Sequence, residues 1–149
     1  MTPAPLPRYS PLTLTLTPTH AVLPLTVYGE VNFGCLLGLF STIRSLASDP
    51  RPGPFVDLGC GSGGVLCAAL MCSTGGSHAY SSVLGIDLLE HRLAECRALL
   101  AAAAQQGIAA HRPALAVYGN IATEPWAQPG EGGAPPTVYC CATCFSDDL

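Results

Sequence analysis

A chain of 149 residues, 49% hydrophobic and only 11% charged, has apolar mass for one domain core and too little charge for a disordered tail. It has no lysine, its six arginines are scattered, and its formal net charge is -4, which argues against a basic nucleic-acid-binding patch. No charged segment precedes an apolar core at the N-terminus, and the longest apolar run, near Cys35 to Phe40, is too short to cross a bilayer, so a soluble protein is expected.

Residues 1–26, rich in proline, threonine and leucine with Leu12 to Leu16 alternating at period two, form a leader, and 27–149 a single domain. From Glu30 to about Ala47, Phe33, Leu36, Leu37, Phe40, Ile43 and Leu46 recur at helical spacing until the prolines at 50, 52 and 54 end the helix. Phe55 to Leu58 then predicts a strand, followed by a glycine-rich turn and a helix over 63–72. Ser73 to Ser77 turns the chain into a second strand at 82–87, which completes a βαβ crossover.

A longer helix follows, about Leu88 to Gln106, with Leu89, Leu93, Cys96, Leu100 and Ala103 on one face and Gly107 at its end. A third strand is expected at Leu115 to Tyr118, a surface loop at Pro129 to Pro136, and a fourth strand at Thr137 to Ala142. The alternation predicts an α/β, Rossmann-like parallel sheet with helices on both faces. Its ligand should lie over the carboxyl ends of the strands, at the topological switch point.

The chemistry concentrates in Asp57-Leu58-Gly59-Cys60-Gly61-Ser62-Gly63-Gly64 and in Asp87, which ends the second strand. Glycines at 59, 61 and 63 let the backbone turn sharply and approach a ligand, and a carboxylate at the tip of the neighbouring strand suits ribose hydroxyls. Two cofactor classes compete, because Gly59, Gly61 and Gly64 also satisfy the G-x-G-x-x-G dinucleotide fingerprint. Asp57 favours S-adenosylmethionine: its sulfonium and ammonium are cations, whereas a pyrophosphate gains nothing from a carboxylate beside the turn. Just past the third strand, Asn120 can accept from the adenine amino group and Ile121 can cover the purine face.

The eight cysteines sit mostly inside apolar helix or strand patterns and read as reduced thiols of a nuclear or cytoplasmic, non-secreted protein. Cys141 and Cys144 form a C-x-x-C with no second pair, and the histidines are dispersed, so no metal is expected.

Four segments, in order and at matching spacing, resemble the disruptor-of-telomeric-silencing family of non-SET histone lysine methyltransferases. They are Val27-Tyr28-Gly29-Glu30 with Phe33, Phe55-Val56-Asp57-Leu58-Gly59, Gly119-Asn120-Ile121 with Glu124 and Trp126, and Thr137-Val138-Tyr139 leading to Phe145. The likeness runs from about residue 25 to the C-terminus. It implies a class I methyltransferase sheet with S-adenosylmethionine as cofactor and a protein substrate, a histone or nucleosome. It also makes Tyr28, Glu30 and Thr143 cofactor-side positions, with Glu30 opposite the methionine ammonium.

This chain departs from that family at Asn120 and Ile121, where aspartate and phenylalanine are usual, and at Ala142-Thr143, which replace paired asparagines. Residues 141–148 are similar to divergent protist members, and the family's basic nucleosome-binding segment has no counterpart. Three further strands are expected beyond the fourth, so the sheet reads as truncated. The catalytic residues are not identified by the resemblance.

Overall fold

The computed structural model describes residues 31–46, 53–72, 79–108, 111–127 and 133–141. The elements run α1 (Phe33–Leu46), β1 (Phe55–Leu58), α2 (Gly64–Cys72), β2 (Val83–Asp87), α3 (Glu90–Gln105), β3 (Ala114–Tyr118) and β4 (Thr137–Cys140). The expected leader and the positions Tyr28, Glu30, Thr143 and Cys144 lie outside the described residues.

Local chemistry explains the helix boundaries. Asn32 starts α1: its Oδ1 accepts the Gly34 amide at 2.8 Å, and its carbonyl accepts the Leu36 amide. An asparagine side chain satisfies an N–H that the first turn leaves without a partner. At the other end of α3, Gly107 takes φ 76 and donates to Ala104 O, while the Ile108 amide donates to Ala103 O. That pair of bonds is a Schellman ending, which calls for a left-handed residue at Gly107.

The strands form one parallel sheet in the order β3-β2-β1-β4. Phe55 is in register with Val83 on one side and with Thr137 on the other. The sheet therefore grows outward from β1 through β2 to β3, after which the chain returns to lay β4 on the opposite flank of β1. The direction of growth reverses between β1 and β4, and that is the switch point. All of β1, Asp57 included, is buried, as suits a strand with a neighbour on each side.

The expectation of helices on both faces needs correcting for the described residues. Leu36 and Phe40 of α1, Leu66, Ala69 and Leu70 of α2, and Leu93, Cys96 and Leu100 of α3 share one cluster with Phe55, Val83 and Ala116. All three helices thus cover the same face. Val56, Leu58 and Ile86 point to the other face and are covered by Ile121 and Trp126. Strand side chains alternate between faces, so successive β1 residues divide between the two clusters.

Phe40, Phe55 and Tyr80 knit α1 to the sheet with ring centroids 5.1 to 6.2 Å apart in tilted and edge-on arrangements. The apolar stripe predicted for α1 is wider than the one it buries. Only Leu36 and Phe40 are fully covered, while Phe33, Leu37 and Leu46 are exposed. The cysteines divide in the same way: Cys60 and Cys96 are core residues, but Cys35 and Cys140 are exposed. Among the described residues no helix is long and apolar enough to cross a membrane.

Candidate functional site

The site is the turn from β1 into α2, where the carboxyl ends of β1 and β2 meet. The amides of Gly59 and Cys60 both donate to Ile86 O, at 2.8 and 3.1 Å, carrying the pairing with β2 past the end of β1. The chain then folds back, with the Gly63 amide donating to Cys60 O and the Cys67 amide donating to Gly63 O as α2 begins. Gly59, Gly61 and Gly63 have φ of 83, 51 and 87. This left-handed backbone is costly for any residue with a Cβ.

The third glycine separates the two fingerprints. A Cβ on Gly63 would stand 2.5 Å from Cys96 Sγ and 3.3 Å from Cys96 Cα, whereas one on Gly64 would meet nothing within 4 Å. In the dinucleotide fingerprint the third glycine is needed for close packing, and Gly64 would have to supply it. Here close packing falls on Gly63, where α2 starts against α3.

Asp87 ties the turn down. Its Oδ2 accepts the Gly61 amide at 2.8 Å and its Oδ1 accepts the Leu89 amide at 2.9 Å. Each carboxylate oxygen keeps a further lone pair for a hydroxyl donor.

Asp57 has a different environment. It is 1% exposed, and its Oδ2 is buried with no hydrogen-bond partner. Burial, reinforced by the negative charge of Asp87, pushes its carboxyl up to about 7. The same negative field raises the thiol of Cys60, whose upward shift comes first from its hydrogen bond to Cys96 and then from burial. Tyr139, on β4 in register with Asp57, is pushed up to about 12, mainly by burial.

The remaining predicted positions are arranged around this turn. The Gly119 amide donates to Asp87 O at 3.1 Å, which sets Asn120 and Ile121 beside the end of β2. Asn120 is exposed, and its Oδ1 accepts the Ala122 amide at 2.9 Å while its carbonyl receives Thr123 and Glu124. Ile121 packs on the second apolar cluster, and its carbonyl accepts the Trp126 indole N–H at 2.7 Å. Asp57, the three turn glycines, Asp87, Asn120 and Ile121 therefore converge on one end of the sheet.

One residue of the site escaped the sequence reading. Gly85 lies in mid-strand, and a Cβ there would come within 2.7 Å of Cys60 Sγ and 2.6 Å of Leu66 Cδ1. Its missing side chain makes room for the turn. The available signal was a lone glycine inside a strand pattern, which marks a close approach.

No protein-family model and no curated protein matches the sequence. Among solved structures, the chain is similar to the YcgJ protein from Bacillus subtilis, at 16% identity and a TM-score of 0.43 over 62% of this chain and 33% of that one. It is also similar to a Listeria monocytogenes protein provisionally assigned as an S-adenosylmethionine dependent methyltransferase, at 26% identity and a TM-score of 0.29 over 62% of this chain and 36% of that one. The chain spans about a third of the length of each structure.

Proposed function

We propose that the β1–α2 turn binds S-adenosylmethionine and that the chain serves in methyl transfer to a lysine side chain of a protein, a histone in the first instance. The observation that carries the cofactor reading is the unpartnered Asp57 oxygen beneath the turn. A buried carboxylate without a partner or a counter-charge costs free energy that a cationic ligand group can offset. A dinucleotide pyrophosphate would instead meet two carboxylates, Asp57 and Asp87, of its own sign.

The residues fit the cofactor part by part. Asp87 suits the ribose hydroxyls, Asn120 and Ile121 the adenine, and the glycine turn the backbone approach. Asp57 faces the cationic amino-acid end, with Tyr28, Glu30 and Thr143 joining it by resemblance. When bound, S-adenosylmethionine supplies an electrophilic methyl group on a cationic sulfur. What this chain then contributes is position and exclusion of water, for which no side-chain nucleophile is required. The lysine acceptor rests on the four segments shared with the non-SET histone methyltransferases.

Calorimetry tests the cofactor and isotope transfer tests the acceptor. Binding of S-adenosylhomocysteine with no binding of NAD is expected, and tighter binding of NAD overturns the reading. Radiolabelled methyl transfer to nucleosomes supports the histone acceptor; transfer only to small amines, by a chain that binds the cofactor, replaces it with a small-molecule substrate.

A further inference from the structure

Resting on the S-adenosylmethionine reading, we infer that ligand binding at the glycine turn is coupled to proton release: the cationic group takes the orphan Asp57 oxygen as its partner and displaces the proton that Asp57 otherwise carries. The inference makes the turn a charge filter whose affinity is set by pH.

The geometry supplies three conditions for such coupling. The first is burial: Asp57 is 1% exposed and one of its oxygens bonds to nothing, so its charge is not screened by water. The second is an unbalanced field. Asp87 from β2 repels the ionised form. Cys60 from the turn, Cys96 from α3, and Tyr139 and Cys140 from β4 all feel the charge of Asp57, and none of them is a cation. From α2, Cys67 interacts with Cys96. Arg97 of α3 acts on Cys96 and is engaged with Glu90 at 2.7 Å and Ala116 O at 3.1 Å.

The third condition is that Asp87 cannot relieve Asp57. Both Asp87 oxygens already accept backbone amides, from Gly61 and from Leu89, so its carboxyl is fixed in place and cannot turn to share a hydrogen bond with Asp57. Asp57 is left as the group that adapts, and with its carboxyl at about 7 roughly half of the molecules carry its proton at neutral pH. A cation beside the free oxygen removes the desolvation cost of the charged form and drives the carboxyl back toward its ordinary range. The proton leaves to buffer and the ligand cation takes its place, so charge balances without any further reactant.

The test is titration calorimetry of the full chain with S-adenosylmethionine in two buffers of different ionisation enthalpy. The expected release is about half a proton per ligand at pH 7 and close to one at pH 6, and the apparent Kd should weaken about fivefold between those pH values. In Asp57→Asn, which keeps the shape of the protonated carboxyl, both dependences should vanish. Binding without proton release, or a release unchanged in Asp57→Asn, overturns the coupling and leaves the cofactor reading standing. Absence of S-adenosylmethionine binding overturns both. Should the variant fail to fold, the pH dependence of the wild-type Kd still decides, since a flat profile from pH 5 to pH 8 is incompatible with the coupling.

Discussion

The Asp87 carboxylate reaches across the sheet end to the Gly61 amide, 2.8 Å away, so one side chain of β2 fixes the shape of the turn that follows β1. With its second oxygen on the Leu89 amide, the same group also sets where α3 can begin. A carboxylate that holds the turn in shape keeps a lone pair on each oxygen for the proposed ribose hydroxyls. An alanine at Asp87 therefore touches both its folding role and the ribose role proposed for it.

Asp87→Ala should cost on the order of 2 kcal/mol of stability, from two bonds to a charged acceptor minus the relief of its repulsion with Asp57. It should also cost about 1.5 to 3 kcal/mol of cofactor affinity. Asp87→Asn keeps one acceptor oxygen and should lie between. Urea unfolding and calorimetry on the folded variants check both, and unchanged affinity in a folded Asp87→Ala protein removes Asp87 from the ribose contact.

Gly63 and Gly64 should behave oppositely. Gly63→Ala combines a left-handed backbone with a Cβ driven into Cys96 and should destabilise by about 2 to 4 kcal/mol. Gly64→Ala, in open space at the start of α2, should be neutral or stabilise by up to about 1 kcal/mol. Gly63→Ala placed in a Cys96→Ala background should recover the packing part and keep the backbone part, a coupling measured by a double-mutant cycle. Equal costs at both glycines would restore the dinucleotide spacing.

Stability should depend on pH through Asp57 with a definite sign. Its folded value, about 7, lies above its unfolded value of 3.8, so between them the folded state binds more protons than the unfolded state. The contribution to stability is full below about pH 4 and is lost as pH rises through 7, by on the order of 4 kcal/mol in all. Asp57→Asn removes this slope, so its advantage over wild type should grow from pH 4 to pH 8. Parallel wild-type and variant profiles in denaturant melts would show that the carboxyl titrates normally.

Trp126 is the sole tryptophan and closes the sheet face opposite the helices. Trp126→Phe should cost about 1 kcal/mol, from the lost indole bond to Ile121 O, and Trp126→Ala about 3 kcal/mol, from uncovering Val56, Leu58 and Ile86. Because Ile121 adjoins the proposed adenine side, S-adenosylhomocysteine should change the wild-type tryptophan fluorescence. A spectrum unaltered at saturating ligand would place the adenine elsewhere.

Sequence by itself determined the order of elements, the parallel α/β character of the sheet and the glycine turn between Asp57 and α2. Each is encoded locally, in apolar runs of strand length, in helical periodicity and in residues such as Gly107 that end a helix. It also placed Asp87 at the tip of β2, since a strand end is legible wherever an apolar run stops. Tertiary structure alone decided the rest. That Gly63 and not Gly64 is the close-packed glycine depends on Cys96, which reaches the turn only when α3 docks beside α2. The placement of all three described helices on one face follows from how α1 packs beside the two crossover helices, and no single segment's periodicity records it. The charge state of Asp57 is the clearest case. The residue is visible in the sequence, but its burial and its uncompensated proximity to Asp87 arise only when β1 and β2 pair.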